Sequence, residues 1–233
     1  MASIPNGERP AVLWQVTWLS FGLAFIGGYA DAASLILART FTGHLTGNFV
    51  LTAISLAGSN WPNLLRCVVA IALFLTGIVL SVILEQWVAR KSANYLLHAV
   101  LSLEIVLILN AYFALTSSVA VRLELFVIFM ALALGLQNGA WREAGGITVH
   151  STYLTGMVTN LLTTGAQKYI SPSVRDSEAH RKVSLLCGMW IAFVLGAIVG
   201  AALVFRYQAP GILGIAVVLL ALIISQSVMR SPR

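Results

Sequence analysis

Long uncharged runs of apolar residues constrain the fold of this chain more than any other feature of its sequence. Five such runs occupy residues 10–30, 67–84, 125–141, 183–205 and 207–229. A sixth, over residues 95–121, is equally apolar but contains Glu104 near its middle. Each is close to the roughly 20 residues that cross a bilayer as a helix. The runs therefore predict six membrane-spanning helices.

The composition agrees with this prediction. The chain is 59% hydrophobic and 9% charged, against about 25% charged residues in a soluble domain. The runs lack the alternation of barrel strands, so we expect an all-α polytopic protein, with residues 1–233 forming a single membrane domain. Its net charge of +6 comes from basic residues scattered at the ends of the runs. Such scattering is typical of topology signals, and we expect the lipid bilayer, not nucleic acid, as a partner.

Two further segments, residues 40–58 and 147–169, are unusually rich in Thr, Ser and Gly, and both contain Leu-Thr-Gly. Superposing the two Leu-Thr-Gly sequences indicates an internal repeat with halves 11–116 and 121–230. If both segments cross the membrane, the protein has eight spans and parallel halves; if both are broken or re-entrant, it has six spans and inverted halves. The distribution of Lys and Arg places both termini in the cytoplasm in either case. We favour six spans and keep eight as the alternative.

Glycine and threonine at membrane depth favour a broken helix, because non-helical backbone there must be buried in protein or line a cavity. Transporters use paired broken helices to bind solutes near the midplane. The alternative is close helix packing through small residues, which is our interpretation of Gly196 and Gly200. On the first interpretation the candidate solute-binding residues are Thr46, Gly47, Asn48, Gln137, Asn138, Thr155, Gly156 and Asn160.

Three titratable residues are candidates for proton or ion coupling: Asp31, His44 and Glu104. Carboxyl groups inside a membrane usually face an interior or a water-filled cavity, and histidine titrates near neutral pH. Each also has a structural interpretation. Asp31 would cap the following segment or pair with Arg39, Glu104 would bond a neighbouring helix, and His44, like His150, would be a hydrogen-bonded structural histidine.

The sequence shows no His-Glu-x-x-His pattern, no nucleophile elbow and no phosphate loop. We therefore expect no enzymatic activity, no cofactor and no bound metal cofactor.

Four short sequences carry a resemblance to a known family. They are Gly-Tyr-Ala-Asp-Ala at 28–32, His-Leu-Thr-Gly-Asn at 44–48, Gly-Leu-Gln-Asn at 135–138 and Thr-Tyr-Leu-Thr-Gly at 152–156. In this order they resemble the YoaK-type family of bacterial inner-membrane proteins, which is defined as a domain of unknown function. The resemblance implies a multi-pass protein of the bacterial inner (cytoplasmic) membrane and supplies no substrate or reaction.

Taken together, these features favour a small permease or secondary transporter that moves a small polar solute or ion through a site between two repeats. A channel built on the same broken segments is one alternative. A membrane assembly or binding protein that transports nothing is another, and a second copy of the chain is a further candidate partner.

Overall fold

The computed structural model describes residues 10–88, 93–144, 147–148, 154–170 and 176–229. Within these residues the protein consists of eight α-helices, one short 3₁₀ turn at Ala209–Ile212 and a two-stranded pair formed by β1 (Glu143–Ala144) and β2 (Ile147–Thr148). This confirms the predicted all-α membrane protein. The helices are α1 (Pro10–Ala38), α2 (Leu45–Ala57), α3 (Trp61–Val88), α4 (Ala93–Thr116), α5 (Arg122–Ala140), α6 (Leu154–Ile170), α7 (Asp176–Tyr207) and α8 (Leu213–Met229).

Six stretches of helix in the described ranges are long and apolar enough to span a membrane, and they correspond to α1, α3, α4, α5, α7 and α8. The helix α2 has 13 residues, about 20 Å at the usual rise, which is short of the roughly 30 Å hydrocarbon core. The helix α6 has 17 residues and is not among the stretches that are long and apolar enough to span a membrane. The Thr/Gly-rich segments are therefore short helices between the spans.

Two boundaries differ from the sequence prediction. The first apolar run ends at Ala30, before a charged residue, but α1 continues to Ala38. The second begins at Cys67, but α3 already starts at Trp61. Backbone hydrogen bonding in a helix continues past a polar side chain when that side chain finds a partner, so hydropathy underestimates both helices.

The helices α1 and α7 pack tightly and run in the same direction. Phe21 lies against Gly188 near the start of both helices, and Tyr29 lies against Gly200 further along both. Between these contacts, a Cβ atom added to Gly196 would overlap backbone of α1. Small residues allow this close approach, as expected for helices that associate inside a membrane.

The helices α3 and α5 form a second pair of the same kind. Phe74 lies opposite Gly135, and Ile78 lies opposite Gly139, so these helices are also parallel. A Cβ atom added to Gly77 would lie 2.6 Å from a backbone carbonyl oxygen of α5. Each tight pair thus joins one helix from the first half of the chain to one from the second half.

The two pairs meet through α1 and α5, which are antiparallel. The Gln137 side-chain amide donates to the Leu23 carbonyl oxygen at 3.2 Å, and the Trp141 indole N–H donates to Ser20 Oγ at 3.1 Å. Higher numbers on one helix therefore meet lower numbers on the other. If α2 crossed the membrane, α5 would be the fifth span and would run parallel to α1. The observed direction fits six spans.

Candidate functional site

The chain reverses direction between α1 and α2, and five buried polar side chains lie in this turn or in the helix ends beside it. The helix α1 ends at Ala38, and Arg39 adopts the left-handed backbone region with a φ of 58°. Residues 40–43 then fold back along α1, and Thr40 and Thr42 are fully buried. We call residues 39–44 the reversal segment.

Asp31 holds the reversal segment against α1. Its side chain is buried, and Oδ1 accepts the backbone N–H groups of Thr42 at 3.1 Å and Gly43 at 2.7 Å. It makes no ion pair with Arg39 or with any other basic residue in the described ranges. Asp31 is the 16th residue of the span Val16–Ala38, so it lies within the helix. Of its two structural interpretations, capping of the following segment fits these bonds.

Two buried hydroxyl groups contact each other where the reversal segment meets α1. Ser34, one helical turn after Asp31, donates its hydroxyl proton to the Ala30 carbonyl oxygen. Ser34 Oγ also lies 2.9 Å from Thr42 Oγ1. Because Thr42 is the residue whose N–H binds Asp31, all three side chains belong to one buried cluster.

Asn48, in the first turn of α2, fixes the other side of the reversal segment. Asn48 Oδ1 accepts the Phe41 N–H at 2.9 Å and the Thr40 hydroxyl at 3.0 Å, while Nδ2 donates to the Phe41 carbonyl oxygen at 2.7 Å. The side chain is 2% exposed. Asn48 therefore replaces the hydrogen bonds that a regular helix or sheet would give to Phe41.

The network continues from Thr40 into α3. Thr40 Oγ1 also lies 3.4 Å from Cys67 Sγ, and Cys67 lies 3.8 Å from Asn63 Nδ2. Asn63 donates to Ser55 Oγ in α2 at 2.9 Å. Through these contacts the end of α1, all of α2 and the start of α3 form one hydrogen-bonded unit.

The remaining candidates of the first Leu-Thr-Gly segment differ in role. A Cβ atom on Gly47 would lie 2.8 Å from the Phe41 ring and 2.9 Å from His44 Nδ1, so Gly47 serves close packing. The His44 ring contacts the Phe41 ring edge to face, with centroids 5.4 Å apart. Thr46 is exposed. These positions fit the packing interpretation at least as well as solute contact.

The candidates of the second half do not join this cluster. Gln137 is buried where α5 meets α1. Asn138 is partly buried and its Oδ1 atom has no hydrogen-bond partner. In α6, Gly156 is partly buried and Asn160 is exposed. The side chain of Thr155 and the whole of His150 lie outside the described residues.

The two Leu-Thr-Gly segments also have different neighbours. The helix α2 packs against α3, and α6 packs against α7. Within the described part of the chain, α2 and α6 share no extended interface. A site common to both segments stays a prediction.

Glu104 is the second buried carboxyl group of the membrane region. It is the ninth residue of the 21-residue span Leu96–Thr116 and is 0% exposed. Neither of its carboxyl oxygens has a hydrogen-bond partner among the residues that the structure describes. The interpretation that it bonds a neighbouring helix therefore finds no support among the described residues.

Sequence reasoning missed Ser34, Thr40 and Thr42, all of which are buried and hydrogen-bonded around the reversal segment. A signal for Ser34 was present, because residues three apart share one helix face and Ser34 follows Asp31 at that spacing. The two threonines gave no such signal, since their contacts depend on the direction in which the chain turns after Ala38.

Comparisons with known proteins agree with the fold class. Residues 19–225 match a family described as "Protein of unknown function (DUF1275)". The UPF0700 transmembrane protein YoaK of Bacillus subtilis (strain 168) is 26% identical over 154 residues, which are 64% of this chain and 64% of that protein. The match thus spans less than two thirds of the relative's length. No solved structure matches the chain.

Proposed function

The chain belongs to the DUF1275 family of proteins of unknown function, and we propose that it is a small permease that moves a small polar solute or an ion across the bacterial inner membrane. The observation that carries this proposal is the pairing of the spans. In the predicted repeat, α1 corresponds to α5 and α3 corresponds to α7. The pair α1–α7 therefore corresponds to the pair α5–α3, and both pairs are parallel and tightly packed. The proposal is independent of any relative's activity, since none is named.

Other contacts support the same exchange of halves. The pair α2–α3 corresponds to α6–α7, and α4–α5 corresponds to α8–α1. Because α1 and α5 are antiparallel, the two halves would be related by an axis in the membrane plane. Inverted repeats of this kind are common in secondary transporters, where the substrate site lies at the interface between the repeats.

Buried carboxyl groups support transport over a purely structural role. Asp31 and Glu104 are buried inside membrane-spanning helices, and neither makes an ion pair with a described residue. Intramembrane carboxyl groups are costly and mark ion or proton pathways. We assign Asp31 and Glu104 to coupling. Solute contact belongs to the polar residues at the α1–α5 interface, first Gln137 and Asn138.

For the orientation of the protein in the membrane and for enzymatic activity, the proposal keeps the expectations from the sequence. Both termini would lie in the cytoplasm, because basic residues flank the spans on that side. Transport alone requires no enzymatic step. A second candidate function is a membrane assembly protein without transport, favoured by the hydrogen bonds that commit Asn48 entirely to its own segment.

The test begins with purified protein in detergent and a panel of amino acids, sugars, nucleosides, organic acids and salts. A compound that binds the folded state raises the unfolding midpoint by mass action. The best stabilising compound is then supplied in radiolabelled form to proteoliposomes, and uptake is measured for the wild type, Asp31→Asn, Glu104→Gln and Thr76→Val. Thr76 is the control, because it is exposed on α3 and bonds only its own helix at Ala72.

We expect saturable uptake and counterflow in the wild type and in Thr76→Val, with at least a tenfold loss in both carboxyl variants. Uptake that never saturates would favour a channel. If no compound stabilises the protein and the carboxyl variants change only oligomer size or abundance, the assembly function replaces the transport proposal.

A further inference from the structure

Three buried oxygen-bearing side chains lie where the reversal segment returns to α1, and no basic residue in the described ranges pairs with the carboxyl group among them. They belong to Asp31, Ser34 and Thr42, which are 5%, 0% and 1% exposed. Asp31 and Ser34 are one helical turn apart on α1, and the reversal segment brings Thr42 to both. Asp31 and Ser34 lie inside the span Val16–Ala38, and Thr42 lies in the reversal segment that follows it.

An acceptor can be assigned to each hydroxyl proton of this cluster. The Ser34 hydroxyl donates to the Ala30 carbonyl oxygen. In the contact of 2.9 Å between Ser34 and Thr42, Thr42 is therefore the donor, since each hydroxyl has one proton. Neither hydroxyl has a proton left for Asp31. The Thr42 oxygen keeps two lone pairs, and the Ser34 oxygen keeps one.

The carboxylate is fixed at one oxygen only. Two backbone N–H groups bind Oδ1 of Asp31, whereas no hydrogen bond reaches Oδ2 from any described residue. No Lys, Arg or His side chain in the described ranges forms an ion pair with it. A buried charge is strongly unfavourable unless it is paired or binds a cation.

We propose that Asp31, Ser34 and Thr42 form a binding site for one sodium ion. One carboxylate balances one positive charge, and the neutral hydroxyl oxygens supply further hard ligands of the type that alkali and alkaline-earth cations prefer. Divalent cations are usually bound by several carboxylates, and Asp31 has no second carboxylate in the cluster.

The site also explains why the reversal segment is built as it is. The two N–H groups on Oδ1 orient the carboxylate, which leaves Oδ2 for the ion. Binding would tie the segment to α1, because Thr42 belongs to one and Asp31 to the other. The role of this ion as the coupling ion rests on the proposed transport function, whereas its binding does not.

The experiment uses the purified full chain in sodium-free buffer. The unfolding midpoint is measured against increasing NaCl, with choline chloride keeping the ionic strength constant, and parallel series use KCl and LiCl. The variants are Asp31→Asn, Thr42→Val and Ser34→Ala. The matched controls are Thr76→Val and Asn110→Ala, which change polar groups that are exposed on α3 and α4 and bond only their own helices.

Asp31→Asn and Thr42→Val should fold, because the asparagine oxygen still accepts both N–H groups and valine has nearly the shape of threonine. We expect sodium to raise the midpoint of the wild type and of both controls along a saturating curve, by about 5 °C at high occupancy. The shift should disappear in Asp31→Asn and Thr42→Val and weaken in Ser34→Ala. Binding of ²²Na⁺ at one ion per chain, lost in the same variants, would confirm the site directly.

An equal response to choline, or a sodium shift that persists in Asp31→Asn, would overturn the proposal. So would a wild type without any sodium response, because Asp31 would then carry a proton in place of a cation. Uptake assays separate this result from the transport proposal. Sodium binding without solute uptake refutes transport and leaves the site. Uptake that is independent of sodium and of Thr42→Val refutes the coupling role of the ion and leaves transport, and the site itself is refuted only by the loss of sodium binding.

Discussion

Replacing Asn48 by alanine tests whether this residue supports the fold or contacts a solute. The change removes three hydrogen bonds: those to the Thr40 hydroxyl, the Phe41 N–H and the Phe41 carbonyl oxygen. Thr40 keeps its contact with Cys67, so the groups left without a partner are the two backbone groups of Phe41. A stranded buried polar group costs about 1–3 kcal/mol. We therefore expect a loss of about 3 kcal/mol in unfolding free energy.

The assay is reversible unfolding in mixed detergent micelles, followed by circular dichroism, with the thermal midpoint as a second readout. A loss of about 3 kcal/mol corresponds to a midpoint lower by about 6–12 °C for a chain of this size. The control is Asn110→Ala, because Asn110 is exposed and bonds only the Val106 carbonyl oxygen of its own helix at 2.8 Å. That variant should lose less than about 0.5 kcal/mol.

The reasoning fails if Asn48→Ala unfolds within about 1 kcal/mol of the wild type. Asn48 would then be dispensable for the reversal segment, and a variant that keeps its stability but loses uptake would return the residue to the solute-binding set. Substantial destabilisation together with normal uptake per folded molecule would assign Asn48 to structure alone.

Three further changes have definite expected outcomes. Gly196→Ala should lower the unfolding free energy by at least about 2 kcal/mol, since the added methyl group overlaps α1 backbone, whereas Gly165→Ala, which meets nothing within 4 Å, should be neutral or stabilising in the same unfolding assay. Glu104→Leu should raise the unfolding free energy by about 2 kcal/mol, because it removes a buried group whose oxygens lack partners, and should abolish uptake in proteoliposomes. Gln208→Gly should raise the thermal midpoint by a few degrees, corresponding to about 1 kcal/mol, because Gln208 has a φ of 57° and ψ of −130°, a region that favours glycine.

The number and type of membrane helices could be predicted from the sequence because hydropathy reports directly on transfer into lipid. The position at which α1 ends could not be predicted in this way. Asp31 interrupts an apolar run, but its carboxylate is satisfied by N–H groups of Thr42 and Gly43, which return to it only after the chain has reversed. A pattern read along the chain does not contain that contact.

Which helices pack against each other could not be predicted from the sequence either, for a different reason. In a membrane, lipid-facing and helix-facing side chains are both apolar, so hydrophobicity does not separate the two faces. Val194 is exposed and Gly196 is buried, although both lie on α7. The sequence indicates the contact of α7 with α1 only through the absence of a side chain at Gly196. The glycine spacing indicated close packing correctly, but the partner helix became known only from the structure.

The two tight helix pairs determine which parts of the protein can move relative to each other in a transport cycle. Within each of the pairs α1–α7 and α3–α5, the backbone of one helix lies against glycine residues of the other. Sliding one helix of a pair along its partner would force atoms to overlap. Each pair should therefore move as a unit. The pairs meet through the side-chain bonds of Gln137 and Trp141 to α1, which can break and reform at modest cost. Asp31 belongs to the first unit and Asn138 to the second, while the reversal segment also contacts α3 of the second unit through Thr40 and Cys67. Rocking of one unit against the other would therefore change the distance between the proposed sodium site and the polar residues of α5, which is the geometric requirement for an ion to be coupled to a solute.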